Sequence, residues 1–197
     1  MVIAGRARAA GRVRLALLGD SLVAGFGLPQ ADGFAARLQA ALDAAGYAVE
    51  VLDAGVSGDT TAGGLARLDW VLVDAPDLML VELGANDALR GLPPETTRAN
   101  LDAILTRLAE HGVAALLAGM RAPRNLGADY VAAFDAIYPA LAERHGVPLY
   151  PFFLEGVALD PVLNQADGIH PNAAGVARIV RGILPLVAGA LDQLAAP

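Results

Sequence analysis

The chain has 197 residues, of which 55% are hydrophobic and 18% are charged. This length and apolarity suit one folded domain and argue against a disordered chain. The formal net charge of -7 argues against a nucleic-acid-binding protein, which needs a basic surface. All 14 basic residues are arginine and cysteine is absent. The composition therefore excludes a Walker A loop, a pyridoxal enzyme, a Ser-Lys hydrolase and a thiol nucleophile.

The start of the chain is basic, with four of the 14 arginines in the first fourteen positions. We expect residues 1–12 to be a disordered leader and residues 13–197 to form a single domain. The apolar run at 15–18 is too short for a secretory signal. We therefore expect a cytoplasmic protein, or a periplasmic or secreted one if a presequence was removed. No uninterrupted apolar stretch reaches the roughly 18 residues of a membrane span, so no stable membrane anchor is expected.

Short apolar runs alternate along the chain with longer segments of helical periodicity. This alternation predicts an α/β domain in which a parallel sheet is covered by helices on both faces. We expect a three-layer α/β/α, flavodoxin-like architecture with about five strands. The predicted strands are 14–18, 48–52, 77–83, 113–118 and 148–150, and the predicted helices are 33–45, 62–73, 94–110, 128–144 and 172–193.

Three predicted helices end in the same way, with a glycine that leads directly into a strand. The glycines are Gly46, Gly112 and Gly146, and glycine is favoured where a helix ends in a left-handed conformation. His111 and His145 precede two of them and can interact favourably with the negative end of the helix. Both histidines lie just before predicted strands, at the edge of the sheet opposite the one where open α/β sheets bind ligands. Only the third histidine of the chain remains as a candidate catalytic base.

The first strand is followed by Gly19-Asp20-Ser21-Leu22, which places Ser21 where the chain leaves the sheet. Taken alone, Ser21 is as well explained as the N-cap of a helix as by a catalytic role. It does not lie in the G-x-S-x-G elbow of α/β-hydrolases, because Val23 occupies the position of the second glycine. Its interpretation therefore depends on the rest of the chain.

An acid and a base occur together just before the last predicted helix, as Asp167 and His170. Gly168 gives the chain freedom to bend between them, and Pro171 is suited to the first position of the helix. A carboxylate that accepts the Nδ1 proton of an imidazole leaves Nε2 free to act as a base. The alternative is a helix-capping aspartate beside a surface histidine.

Two further strand exits carry neutral hydrogen-bond donors. Gly55 follows the second strand and is expected to have an exposed backbone N–H, and Asn86 follows the third strand with a side-chain amide. Such donors suit an oxyanion hole, although glycine and asparagine are also common in ordinary turns. The order of these motifs favours a catalytic site over ordinary turns, because a nucleophile, two donors and an acid-base pair all fall at one edge of the predicted sheet.

These blocks, in this order and near these spacings, resemble the SGNH (GDSL) hydrolase family. The likeness is greatest to its bacterial thioesterase, arylesterase and lysophospholipase branch, and it runs from about residue 13 to residue 191. The residues that carry it are Gly19-Asp20-Ser21-Leu22, Gly84-Ala85-Asn86-Asp87 with its continuation to Gly91, Asp167-Gly168-Ile169-His170-Pro171, and Pro151-Phe152-Phe153-Leu154.

The resemblance implies a serine hydrolase that needs no metal and no organic cofactor. It implies that Ser21 is the nucleophile, His170 the general base and then acid, and Asp167 the carboxylate that orients the histidine. The oxyanion hole would comprise the N–H groups of Ser21 and Gly55 and the amide of Asn86. Two other motif acids receive scaffold roles, because a negative charge beside a developing oxyanion would oppose it; they are Asp20 and Asp87.

The expected substrate is a small acyl ester or thioester, cleaved through an acyl-enzyme, with lysophospholipids as one possibility. Two alternatives stay open: a carbohydrate deacetylase on the same fold and a non-catalytic flavodoxin-like binding module. The protein is expected to be a monomer or small homo-oligomer. Arg121 and Arg124 are candidates for binding an anionic group, or else solvated surface residues. The apolar residues expected to bind substrate are Phe26, Leu89, Leu92, Phe152 and Phe153.

Overall fold

The computed structural model describes residues 12–196, and most of the predicted leader at 1–12 lies outside them. Five parallel strands form one sheet in the order β2-β1-β3-β4-β5. The strands are β1 Val13–Gly19, β2 Val49–Gly55, β3 Leu78–Glu82, β4 Ala114–Ala118 and β5 Leu149–Tyr150. This is the flavodoxin-like strand order, which confirms the predicted fold class.

The helices connect the strands and cover the sheet. The first and last helices pack against each other, and the second, fourth and sixth form a second group of packed helices. Their bounds are α1 Phe34–Ala44, α2 Thr61–Val73, α3 Ala85–Leu89, α4 Pro94–Glu110, α5 Ala128–Asp135, α6 Ile137–His145 and α7 Ala173–Ala195.

The core consists mainly of aliphatic side chains from the central strands. Leu15–Leu18 of β1 and Leu78–Val81 of β3 are almost completely buried, as expected for strands that have helices on both faces. The C-terminal helix α7 buries one apolar face, which includes Val176, Ile183 and Val187. Among residues 12–196, α7 is the one helix long and apolar enough to cross a membrane.

The other predicted helices agree with the structure to within two residues, but one predicted helical segment is divided. The segment 128–144 is divided at Ala136 into α5 and α6. Pro139 explains this break, because it has no N–H to donate to the carbonyl of Asp135 and its ring crowds that carbonyl. The short helix α3 lies outside the predicted helices, and α7 begins at Ala173 rather than at 172.

The glycine-ended helices match the prediction. Gly46, Gly112 and Gly146 have φ values of 84°, 69° and 63°, which lie in the left-handed region. The Nδ1 of His111 lies 2.8 Å from the carbonyl oxygen of Arg107 in its own helix. His145 Nε2 lies 2.6 Å from a carboxylate oxygen of Asp102 in α4. Both histidines thus have structural partners.

Candidate active site

The strand register brings the predicted motif residues to one edge of the sheet. Gly19 at the end of β1 is paired with Gly55 at the end of β2 on one side and with Glu82 at the end of β3 on the other. The segments that follow β1 and β3 therefore emerge side by side. This is the position where the strand order reverses, which is where open α/β sheets bind their ligands.

Ser21 and His170 meet at this edge although 149 residues separate them in the chain. Ser21 lies in the turn after β1, is 9% exposed, and is not the N-cap of a helix, because α1 begins only at Phe34. Its Oγ is 2.9 Å from His170 Nε2. The N-cap interpretation of Ser21 is therefore wrong.

The other ring nitrogen of His170 faces Asp167. Nδ1 lies 2.7 Å from Asp167 Oδ2, while the backbone N–H groups of Ile169 and His170 donate to Oδ1. The bonds from His170 and Ile169 lower the pKa of Asp167 to about 2. An ionised carboxylate only accepts hydrogen bonds, so Nδ1 carries the proton and Nε2 is free to accept one from Ser21.

The loop that carries His170 is held by side-chain hydrogen bonds. Asn172 is the N-cap of α7 and accepts from the N–H groups of Ala174 and Gly175. Pro171 therefore does not start the helix, contrary to the sequence prediction; it forms a bridge with Asn164. Gln165 donates to the carbonyls of Phe26 and Pro171 and so joins the loop to the turn after Ser21.

Of the two predicted oxyanion-hole donors, Asn86 lies at the cavity, whereas the N–H of Gly55 is already hydrogen-bonded. Asn86 in α3 lines the same cavity as Ser21 and His170. The N–H of Gly55 instead donates to Asp53 Oδ1 at 2.9 Å. The prediction of a free N–H at Gly55 is therefore wrong, because a carboxylate two residues earlier already engages it.

Gly55 has a packing reason to be glycine. A Cβ at this position would collide with the backbone nitrogen of Ala24, in the turn that follows Ser21. The end of β2 and this turn can approach closely only when one of them has no side chain. Gly55 thus positions the Ser21 turn by its lack of a side chain.

We expect Gly55→Ala to lower the free energy of unfolding by about 1–3 kcal/mol, because the clash is with backbone that cannot rotate away. Urea denaturation measures this change. Gly189→Ala is the matched control, since Gly189 is an exposed position of α7 with open space around it. That control should be neutral or slightly stabilising. Equal effects of the two substitutions would contradict the packing role of Gly55.

A cavity of about 430 Å³ opens beside Ser21, Asn86 and His170. Its size lies in the range of small-molecule sites. Arg121 and Arg124 also line it, but each has an acidic neighbour, Glu155 at 3.6 Å and Asp135 at 2.9 Å respectively. The apolar lining residues include Leu22, Leu89, Met120, Phe152, Leu154, Leu159 and Ile169.

Of the five predicted substrate-binding residues, only two line the cavity. Leu89 and Phe152 line the cavity. The ring of Phe26 contacts that of His170, with centroids 4.6 Å apart. Phe153 is completely buried and packs edge-on against Phe34, so its predicted place in the groove is wrong. Leu92 does not line the cavity.

Two motif acids form the structural contacts expected of scaffold residues. Asp87 is completely buried and accepts from the N–H and Oγ1 of Thr61 and from Thr97 Oγ1. These bonds tie α3, which carries Asn86, to the start of α2 and to α4. Asp20 accepts a hydrogen bond from Asn86 Nδ2 at 3.0 Å. Glu82 lies beside Asp20 and was not predicted from the sequence, although an acid within a buried strand is an unusual feature.

Residues 17–178 match the model of the GDSL-like Lipase/Acylhydrolase family. The chain belongs to this family. It is 42% identical over 172 residues to Esterase TesA of Pseudomonas aeruginosa, a match that covers 87% of this chain and 86% of the relative. It is 45% identical to Thioesterase 1/protease 1/lysophospholipase L1 of Escherichia coli strain K12, covering 84% of this chain and 78% of the relative.

The fold comparison agrees with the sequence comparison. The crystal structure of AlinE4, described as an SGNH-hydrolase family esterase, superposes with a TM-score of 0.76 at 49% identity. That match covers 94% of this chain and 99% of the AlinE4 chain. The family resemblance and the class inferred from it, a hydrolase of carboxylic esters, are thereby confirmed.

Proposed function

We propose that this protein hydrolyses small carboxylic esters or thioesters through an acyl-enzyme formed on Ser21. The observation that carries the proposal is the continuous chain of hydrogen bonds from Ser21 through His170 to Asp167, with distances of 2.9 and 2.7 Å. Ser21 and His170 line a cavity whose other lining residues are mainly apolar.

The first half of the reaction transfers the acyl group to Ser21. Ser21 Oγ attacks the carbonyl carbon while His170 Nε2 takes the hydroxyl proton. Asp167 stabilises the imidazolium that forms. The tetrahedral intermediate collapses when His170 returns the proton to the leaving alkoxide or thiolate. Water then attacks the acyl-enzyme with His170 again acting as base, which releases the acid and restores Ser21.

The developing oxyanion needs hydrogen-bond donors, and two of the proposed donors each have an N–H that is not bonded to an acceptor in the described residues. The backbone N–H of Ser21 has no hydrogen-bond acceptor among residues 12–196, and the Asn86 amide retains one free N–H after its bond to Asp20. Ser21 and Asn86 therefore keep the roles that the family resemblance implied.

Gly58 replaces Gly55 in our proposal for the third donor. It lies at the tip of the loop after β2 with a φ of 82°, and its carbonyl accepts from Arg90 at 2.7 Å. In the part of the chain that the structure describes, nothing accepts its N–H. The sequence signal was the Ser57-Gly58 pair, since glycine supplies the positive φ that such turns require.

The apolar cavity lining favours an acyl or aryl group over a sugar, which would require several polar partners. The enzyme should therefore act on aryl and short-to-medium acyl esters in preference to carbohydrate acetates. Assays with p-nitrophenyl esters from acetate to palmitate, together with an acyl-CoA and an acetylated sugar, test this proposal. Hydrolysis of the acetylated sugar alone would contradict it.

We expect Phe152→Ala to lower kcat/KM for a decanoate ester about tenfold relative to a butyrate ester. The ring of Phe152 lines the cavity and is held by the Arg121 guanidinium 4.6 Å above it. We expect only the acyl chain of the decanoate ester to contact this ring, and each buried methylene contributes about 0.8 kcal/mol of binding free energy. Comparison of kcat/KM for the two p-nitrophenyl esters measures the change.

Trp70→Ala is the control for Phe152→Ala, because Trp70 is 79% exposed on α2 and lies outside the cavity. Its ratio of the two kcat/KM values should equal that of the wild type. An unchanged ratio in folded Phe152→Ala would instead place the acyl chain along Leu89.

A further inference from the structure

Two completely buried acids lie directly behind the proposed active site. Asp20 precedes Ser21, and Glu82 ends β3; neither side chain has any exposed surface. The N–H of Asp20 donates to Glu82 Oε2 at 3.2 Å, and Glu82 Oε1 has no partner in the described residues. Buried acids are costly to a fold, and the proposed reaction uses neither of them directly.

The carboxylate of Asp20 connects the nucleophile turn to the side-chain donor. Oδ1 accepts the N–H of Leu22 at 2.9 Å, and Oδ2 accepts Asn86 Nδ2 at 3.0 Å. Within residues 12–196, this is the one hydrogen bond formed by the Asn86 side chain. Asp20 is therefore what holds the Asn86 amide in place.

The charge of Asp20 determines which way that amide points. An ionised carboxylate only accepts hydrogen bonds, so it can face Asn86 Nδ2 but not Asn86 Oδ1. With Nδ2 fixed in this way, its second N–H remains free for the cavity. A protonated carboxyl group can also donate, so it accommodates the reversed amide, in which Oδ1 faces Asp20.

We infer that Asp20 is a positioning residue whose ionised carboxylate selects the orientation of the Asn86 amide that presents an N–H to the transition state. This inference rests on the proposed function, because it needs Asn86 to stabilise an oxyanion. It gives the buried Asp20 a role in the reaction, beyond the scaffold role expected from the sequence.

Several charged or titratable groups act on Asp20 from the neighbouring elements. They are Glu82 of β3, His170 of the loop before α7, Tyr138 of α6, Asp59 of the loop after β2 and Arg67 of α2. Arg67 donates to both the Gly19 carbonyl and the Asp59 carboxylate, so the charge of Asp59 is largely compensated.

Burial raises the pKa of Asp20 to about 6, against the lowering effect of its bonds to Leu22 and Asn86 and of the charge of His170. Burial also raises the pKa of Glu82 well above its usual value, and the charge of Asp20 adds to this rise. Of the two carboxyl groups, Asp20 is therefore the one that more readily carries a charge near neutral pH. Acidification through about pH 6 protonates Asp20 and removes its selection of the Asn86 amide.

The pH dependence of kcat/KM tests this inference on the intact enzyme. With p-nitrophenyl butyrate from about pH 4.5 to pH 8.5, kcat/KM should fall as the pH is lowered through about 6, because Asp20 must be ionised for full activity. Asp20→Asn should remove this ionisation, so the slope of the acid limb of log kcat/KM against pH should be smaller by about one than in the wild type. Its kcat at about pH 8 should be lowered 10- to 100-fold with KM unchanged.

Asp87→Asn is the matched control, because it also replaces a completely buried carboxyl group by an amide. It should lower Tm while the acid limb keeps the wild-type slope. A wild-type profile with no ionisation near pH 6 overturns the inference, and this result stands even if Asp20→Asn does not fold. A folded Asp20→Asn variant with wild-type kcat also overturns it. Failure of the proposed function has a different signature, namely no Ser21-dependent hydrolysis at any pH.

Discussion

Ser21→Ala and His170→Ala should each lower kcat for p-nitrophenyl butyrate by about 10⁴-fold or more, and the double variant should be hardly worse than either one. The reason is that the hydroxyl and the imidazole 2.9 Å from it act as one unit. Without Ser21 no acyl-enzyme forms, and without His170 nothing removes the hydroxyl proton.

The chain offers close controls for both substitutions. Ser57 is the other serine of the sequence and is exposed, and His111 is bonded to its own helix. Ser57→Ala and His111→Ala should retain wild-type kcat. A fluorophosphonate probe should add its mass to the wild type and to Ser57→Ala but not to Ser21→Ala. A Ser21→Ala variant that kept more than about a hundredth of wild-type kcat would contradict the acyl-enzyme mechanism.

Asn86→Ala should lower kcat by about 10²- to 10³-fold with little change in KM, because its amide binds charge that develops only in the transition state. The substitution leaves the α3 backbone and the anchoring bonds of Asp87 in place. Steady-state kinetics with p-nitrophenyl butyrate separate kcat from KM.

Asn125→Ala is the control for Asn86→Ala, since Asn125 is exposed and lies outside the cavity. It should have wild-type kinetics. If Asn86→Ala raised KM and left kcat unchanged, Asn86 would bind the ground state rather than the transition state. If neither constant changed, Asn86 would have no role in stabilising the transition state.

The sequence predicted the placement of the site because parallel strands impose it. Once Ser21 and Asn86 are assigned to the exits of two parallel strands, they must emerge at the same edge of the sheet. The pairing of Asp167 with His170 was likewise readable, because a three-residue separation across Gly168 keeps the two side chains within reach.

Features outside regular structure were harder to predict. The loop after β5 has no side-chain periodicity, so nothing in the sequence distinguishes Phe152, which lines the cavity, from Phe153, which is buried in the core. The bond from the Gly55 N–H to Asp53 depends on a side-chain rotamer, which strand pattern does not determine. The break before α6 is predictable from Pro139, which cannot continue the hydrogen bonding of the helix.

The wide separation of Ser21 and His170 in the chain affects how activity first arises. Because 149 residues lie between the two side chains, the N-terminal strands can fold during synthesis long before His170 is available. Gln165 links the two parts of the site only when the loop before α7 reaches Phe26. With His170 as the proposed base, we expect a partly synthesised or partly refolded chain to be inert towards esters, and the appearance of hydrolysis to report that the last strand and α7 have docked.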